Sequence, residues 1–357
     1  MKHFIDIYQN PLYQEDIQNV VGLTLPWEKL QNKVVLVSGA RGLLGSFFID
    51  VIMYKNLHEG LNCHIFAMGR NEAKLKERFS YCIGSPFLTY VVSDVNQPLE
   101  DIITERVDYI LHLASNTHPV AYATDPIGTI MTNVVGLQYM LDIAVERQAK
   151  RFVFASSNEI YGENRGDTEK FAEDYCGYID CNTLRAGYPE SKRCGEALCQ
   201  AYKQQKGLDV VISRFTRSYG PSLQESDTKA MSQFLHKAIN HQDIVLKSEG
   251  KQFYSYTYMA DAVSGLLTIM LLGESGKAYN ISDERSDIHL KDLAKLIADY
   301  ASKQVVFDIP DQTEQLGYSK ATKALLDSGK LKELGWRAQY NIRQGVWRTL
   351  EILFHCC

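Results

Sequence analysis

From Lys33 onward the chain repeats one pattern: a short, almost continuously apolar run, a turn, then a stretch with helical periodicity. The apolar runs fall at Lys33–Ser38, His64–Met68, Leu88–Val92, Tyr109–Leu113, Phe152–Ala155 and Val210–Ser213. A strand covered on both faces loses the polar–apolar alternation of a half-exposed one, so these runs predict strands buried between helices. The periodic segments Leu43–Ile52, Glu72–Phe79, Ile127–Arg147 and Glu190–Gln205 predict the helices. Strand and helix in alternation give an α/β fold, a doubly wound parallel sheet.

Two regions depart from this rhythm. Ahead of it, Asn10-Pro11 opens a helix over Leu12–Val21, a cap followed by proline at the first helical position. Beyond Arg214, helical patterns at Ala230–Asn240, Leu290–Ala301 and Ser328–Leu334 mix with an isolated strand at Val305–Phe307. That irregularity predicts a smaller α+β cap, some of whose segments return to the sheet.

Composition narrows the class. A chain of 357 residues has ample core, and its net charge of −5 carries no basic run of the kind that tracks nucleic acid. The apolar stretch Ala262–Leu272 falls far short of the ~20 residues needed to span a membrane. The start of the chain lacks the apolar region of a signal peptide, and eight scattered cysteines without a C-x-x-C pair are read as reduced thiols. The expectation is a cytoplasmic protein that binds neither membrane nor nucleic acid. No two of the nine histidines stand four apart around a glutamate, so no metal site is expected.

Chemistry enters at the first strand–helix turn, Gly39-Ala-Arg41-Gly42-Leu43-Leu44-Gly45. Glycines there let the backbone turn sharply and approach a pyrophosphate, which then rests on the helix N-terminus. The boundaries that follow are an N-terminal extension (1–30), a dinucleotide-binding domain (31–215) and a substrate-binding cap (216–357). An acid at the end of the second strand would bind a ribose 2′-hydroxyl. Here that strand ends Met68-Gly69-Arg70-Asn71, and Arg41 lies in the glycine loop. Guanidinium groups suit a 2′-phosphate, so of NAD and NADP the reading favours NADP.

Tyr188-Pro-Glu-Ser-Lys192 places a phenol and an ammonium four residues apart on one helix face. A nearby cation favours phenolate and would lower the tyrosine pKa toward that of a useful base. Ser157 follows a buried strand, a position from which a hydroxyl can orient a substrate oxygen.

With these motifs in order, the chain from Val34 to Leu350 resembles the extended short-chain dehydrogenase/reductases, which include nucleotide-sugar epimerases, dehydratases and decarboxylases. The resemblance rests on Gly39/Gly42/Gly45, Asp94-Val95, His112-Leu113-Ala114-Ser115, Asn133-Val-Val-Gly136 and Ser156-Ser-Asn-Glu-Ile-Tyr161-Gly. It continues through Tyr188/Lys192, Ser218-Tyr-Gly-Pro221 and Asp327-Ser-Gly-Lys-Leu-Lys-Glu-Leu-Gly-Trp336. The local stretch from Arg185 to Glu196, and Ser157-Asn-Glu159, look most like the UDP-glucuronate decarboxylases.

The resemblance implies a Rossmann-type fold in which Tyr188 is the base, Lys192 tunes it and holds the nicotinamide ribose, and Ser157 binds the reacting oxygen. Glu159 would serve as a second base or hydrogen-bonding group, or else as a structural carboxylate on a backbone amide. Gly39, Arg41, Gly42, Leu43, Leu44, Gly45, Arg70, Asp94, Leu113, Ala114, Ser115, Asn133 and Lys192 would hold the cofactor, with Asp94 near the adenine. A homodimer built through the helices Ile127–Arg147 and Glu190–Gln205 is also implied.

Two departures matter. Dehydratases of the family carry Asp-Glu where this chain has Asn158-Glu159, and an amide cannot serve as an acid. The family's Arg-Asp in the cap is replaced by Tyr254-Ser255, while Arg217 stands where many relatives have Asn. Asn158, Arg217 and Tyr254 are the expected substrate contacts. Three functions follow in order: transient oxidation of a nucleotide-linked sugar by an epimerase, dehydratase or decarboxylase; net NADPH-dependent reduction of a keto-sugar or polyol precursor; and non-catalytic dinucleotide sensing. Ser157, Tyr188 and Lys192 count against the sensor, which has no need of them.

Overall fold

A computed structural model describes residues 4–224, 227–308 and 321–356. Among them seven strands form one sheet: β1 (Val34–Ser38), β2 (His64–Gly69), β3 (Leu88–Val92), β4 (Tyr109–His112), β5 (Arg151–Ser157), β6 (Val210–Phe215) and β10 (Ala278–Ile281). Their order is β10–β6–β5–β4–β1–β2–β3, and every pairing is parallel. The chain leaves β1 in one direction and returns on its other side at β4, with Ser38 in register with His112. Crevices at such reversals, beyond the carboxyl ends of the strands, are where open α/β sheets bind ligands.

Alternation along each strand divides the core. Val35 and Val37 pack with Phe47 and Ile49 of α3 (Leu43–Glu59), whereas Leu36 packs with Met140 of α6 (Pro126–Glu146) and Cys199 of α7 (Gly187–Lys206). Both faces of the central strands are thus dry. β3 differs from the sequence reading: it is an edge strand, and Val92 at its end is 47% exposed. Only β2 flanks it, so its outer face meets solvent.

Two helices run longer than their periodicity suggests. Past Ile52, α3 is held by the Lys55 ammonium, which lies 4.3 Å over the Trp27 ring, and by Asn56, which bonds the backbone of Cys63 through both amide atoms. It stops at Gly60, which takes the left-handed conformation at φ 65°. α7 begins at Gly187 rather than Glu190, which brings Tyr188 into its first turn.

Beyond β6 the chain builds a second small sheet from β7 (Arg217–Tyr219), β9 (Phe253–Tyr258), β11 (Asp287–His289) and β13 (Lys323–Ala324). β8 (Ile244–Leu246) pairs with β12 (Val305–Phe307), beside α8 (Ala230–Ile239) and α10 (Leu290–Tyr300). Not all of this region stands apart: β10 joins the main sheet beside β6, and α9 (Met259–Leu272) packs on it with its side chains almost all buried.

The N-terminal helices α1 (Phe4–Gln9) and α2 (Pro11–Val21) are tied down from two sides. Asn10 caps α2 by accepting from Leu12 N at 2.9 Å, as its sequence suggests. Tyr13 donates to Asp50 of α3 at 2.6 Å, and Arg348 of α12 (Ile342–His355) donates to Asp16 at 2.8 Å. No helix among the described residues is long and apolar enough to cross a membrane.

Candidate active site

The turn after β1 is set by backbone contact. Gly39 has φ +69°, and a Cβ there would lie 2.9 Å from the amide nitrogen of Ala114 in the segment after β4. A Cβ on Gly45, in the first turn of α3, would lie 2.5 Å from the Gly39 carbonyl oxygen. Only glycine fits either place, so the turn closes tightly on the helix. Gly42 at the N-cap has no side chain to occupy the first-turn amides, which face the crevice at the sheet's reversal. First-turn amides with no side-chain cap, in a turn that glycine alone can close, fit a dinucleotide pyrophosphate.

Ser38 locks the floor of the cradle. Its Oγ accepts from the amides of Leu113 and Ala114 at 3.2 and 3.3 Å and lies 2.9 Å from His112 Nδ1. With both amides already donating to it, the hydroxyl proton goes to Nδ1, so the ring proton sits on Nε2. Burial, helped by Lys192, lowers the His112 pKa to about 3 and keeps the ring neutral. The expected cofactor contacts Arg41, Leu43 and Leu44 border the cradle. Arg41 donates to Gln224 at 3.2 Å, a bond from the glycine loop to the segment after β7. Arg70 is exposed just past β2, and Asp94 accepts from the amide of Asn96 at 2.9 Å.

Asn133, one of the expected cofactor contacts, is bonded to protein groups through both amide atoms. It is fully buried on α6, donates to Ser191 at 2.9 Å and accepts from Ser115 at 2.8 Å. Ser191 in turn donates to the Tyr188 carbonyl at 2.8 Å. The amide therefore braces the segment after β4 against the helix that bears Tyr188.

Ser157, Tyr188 and Lys192 converge at the ends of β5 and α7, and all three are buried. The Ser157 hydroxyl favours the Tyr188 phenolate and accepts the Glu159 amide at 3.2 Å. The sequence expectation that Lys192 lowers the tyrosine pKa is not met. Burial dominates and raises it, the Glu159 charge adds to the rise, and Ser157 only partly offsets them. The Lys192 ammonium donates to the Ala155 carbonyl at 2.8 Å and lies 5.9 Å from the Tyr188 ring centroid. Burial brings its own pKa down to about 7.

A cavity of about 220 Å³ is lined by Asn158, Glu159, Arg217 and Tyr254, whereas Ser157, Tyr188 and Lys192 are not among its lining residues. Tyr122 of α5 (Pro119–Thr124) and Arg185 line it as well, and sequence reasoning did not assign either a role. Arg185 donates to Glu159 at 2.5 Å, so that carboxylate is held by a cation and not by the backbone amide that was considered. The Arg217 guanidinium lies 3.5 Å over the Tyr254 ring, and its Nη1 is buried without a hydrogen-bond partner. A cation thus stands directly on the aromatic residue that replaces the family's arginine.

Behind the site, Glu196 of α7 accepts from Ser156 at 2.6 Å and from Arg214 of β6 at 2.9 and 2.6 Å. Arg214 also donates to Tyr161 at 2.9 Å, which donates to Asn280 of β10 at 2.6 Å. This network pins β5, β6, β10 and α7 together at the level of the reacting groups. Spacing within the sequence reveals Tyr188 and Lys192. Only Arg185, three residues before Tyr188, left a comparable local signal.

Residues 35–282 match the model of the NAD dependent epimerase/dehydratase family. UDP-glucuronic acid decarboxylase 6 of Arabidopsis thaliana is 30% identical over 319 residues, covering 88% of this chain and 87% of that protein. UDP-glucuronic acid decarboxylase 3 of the same plant is 28% identical over 316 residues, 88% of this chain and 87% of that one. Among solved structures, the dTDP-glucose 4,6-dehydratase of Streptomyces venezuelae with NAD bound superposes with a TM-score of 0.76 at 23% identity, covering 89% of this chain and 96% of the other. The UDP-glucuronic acid 4-epimerase of Bacillus cereus, in complex with UDP-glucuronic acid and NAD, gives 0.75 at 17% identity over 90% and 98% of the two chains.

Proposed function

Because the chain belongs to the NAD dependent epimerase/dehydratase family, we propose that it modifies a nucleotide-linked sugar by transient oxidation of one sugar hydroxyl. The observation that carries this reading is that Ser157, Tyr188 and Lys192 are buried at the end of β5 and the start of α7, directly behind the cavity residues Asn158, Glu159 and Tyr122. Tyr188 takes the hydroxyl proton while Ser157 holds the oxygen. Lys192, near 7, can take up or give a proton behind the tyrosine at neutral pH. The nicotinamide, when bound, supplies a hydride acceptor that can later return the hydride.

Asn158 cannot donate a proton as an acid, which favours epimerisation or decarboxylation over dehydration. The decarboxylase names of the relatives support the second. Arg217, with a buried unpartnered nitrogen in the cavity, is the cation for the substrate's diphosphate or an acidic sugar group. The absence of an acid at the end of β2, where the chain reads Gly69-Arg70-Asn71, with Arg70 exposed there and Arg41 in the loop, supports NADP over NAD. The exposed Ile127 and Met131 on α6 support a homodimer through α6 and α7, and the free thiols of Cys176, Cys181 and Cys194 suit a reducing cytoplasm.

The test is a panel of nucleotide sugars, including UDP-glucuronate, UDP-glucose and dTDP-glucose, read by product mass. Loss of carbon dioxide marks a decarboxylase and unchanged mass an epimerase; one NADPH consumed per product marks the net reductase. Tyr188→Phe is expected to cut turnover by ~10²–10⁴-fold while cofactor affinity stays within about twofold. Unchanged turnover in that variant would remove the catalytic reading.

A further inference from the structure

Tyr122 touches the base itself. Its ring lies against that of Tyr188, with centroids 4.7 Å apart and planes at 27°, and it is 5% exposed. The Arg185 guanidinium lies 4.7 Å from the Tyr122 ring centroid and is the group that binds Glu159. The charged and hydroxyl groups facing Tyr188 are therefore Ser157 at the end of β5, Glu159 in the turn that follows, Arg185, Tyr122, and Lys192 on its own helix. Several are already committed: Ser157 accepts the Glu159 amide, Lys192 donates to Ala155, and Arg185 donates to Glu159. Tyr122 packs on the Tyr188 ring, and its hydroxyl is among the neighbours that favour the Tyr188 phenolate.

A buried phenolate has little water to stabilise it, so a neighbouring hydroxyl counts for more there than in solvent. A phenol free to tilt would also lose its alignment with a sugar oxygen. We infer that Tyr122 is a positioning residue for Tyr188: its ring fixes the plane of the base, its hydroxyl supports the phenolate, and Arg185 links this pair to Glu159. The inference rests on Tyr188 being the base, as proposed above.

The experiment labels the full chain with fluorotyrosine, saturates it with NADP, and follows the Tyr188 fluorine resonance as pH rises. Loss of that resonance in Tyr188→Phe identifies it, and the fluorine's acidifying effect brings the titration into an accessible range. Tyr122→Phe keeps the ring and removes the hydroxyl. The expected result is a nearly unchanged chemical shift with a midpoint about one pH unit higher, about a tenfold gain in proton affinity. Tyr122→Leu, which also removes the ring, should move both shift and midpoint. A midpoint that does not rise in Tyr122→Phe overturns the inference.

The titration needs no turnover, so the two readings fail separately. If no nucleotide sugar is converted, the proposed reaction falls while a midpoint shift still ties Tyr122 to Tyr188. If Tyr188→Phe abolishes turnover but the midpoint ignores Tyr122, only the positioning role falls.

Discussion

The glycine cradle and the cavity are built by different means. The cradle is backbone: Gly39, Gly42 and Gly45 lie within one turn, and the strand ends that meet them are joined by Ser38 and a neutral His112. The cavity is made of side chains contributed by distant segments: Tyr122 from α5, Glu159 after β5, Arg185 before α7, Arg217 from β7 and Tyr254 from β9. Backbone cradles recognise what nicotinamide dinucleotides share. Paired side chains can be exchanged one at a time, as Arg217 standing over Tyr254 illustrates. The first region is therefore expected to tolerate almost no change, and the second to trade specificity for small losses in stability.

The sharpest way to break this contrast is Gly45→Val. Its side chain would enter the space between α3 and the Gly39 carbonyl, 2.5 Å from where the Cβ must sit. Cofactor affinity should fall by roughly 100-fold or more, measured as the loss of cofactor-dependent thermal stabilisation. A variant still stabilised as well as the parent would show that the cradle is not where the dinucleotide binds.

A smaller effect separates the cradle's backbone from its charged rim. Arg41→Ser and Arg70→Ser should each weaken NADPH by about tenfold and leave NADH within about twofold. Calorimetric titration of both nucleotides against both variants checks this. Equal losses for the two would mean that the arginines act on the shared pyrophosphate, or not at all on a 2′-phosphate.

The smallest effect is a pair of opposed pH slopes. His112 in the cradle has its pKa lowered from 6.5 to about 3, chiefly by burial. The unfolded chain binds the extra proton, so this stabilisation is full above about 6.5 and is lost as pH falls toward 3. Asp261, at the start of α9, has its pKa raised from 3.8 to about 7 by burial, although it accepts the Gln339 and Tyr340 amides at 2.7 and 3.0 Å. Its contribution has the opposite sign: full below about 4 and lost as pH rises through 7. Because the two windows overlap and the slopes oppose, urea unfolding between about pH 4 and 6.5 should show His112→Asn turning the pH dependence toward lower stability with rising pH and Asp261→Asn turning it the other way, each by at most about 1.4 kcal/mol per pH unit. Unaltered slopes in both variants would show that neither group titrates differently in the folded chain.

Much of the cradle was legible because its determinants are local. A buried strand, a glycine at each position where a Cβ would collide, and an apolar helix follow one another without interruption from Val34 to Ile52. The Tyr188/Lys192 pair was legible for the same reason, since helix periodicity alone puts both on one face. What spacing did not carry was direction and company. The Lys192 ammonium turns to the Ala155 carbonyl, and burial raises the tyrosine pKa that this lysine was expected to lower. Asn133 belongs to a recognisable motif yet spends its amide on Ser115 and Ser191.

By itself, then, the amino-acid sequence determined the alternation of strand and helix, the glycine turn and the pairing of Tyr188 with Lys192 on one helix face, because backbone sterics and helical period act over a few residues. Only the tertiary structure decided that β3 lies at an edge, that β10 and α9 return to the sheet, that Arg185 holds Glu159 and that Tyr122 lies against Tyr188. Those outcomes depend on which distant segments pack together and how much water they exclude, and burial is a property of the whole fold that no local pattern records.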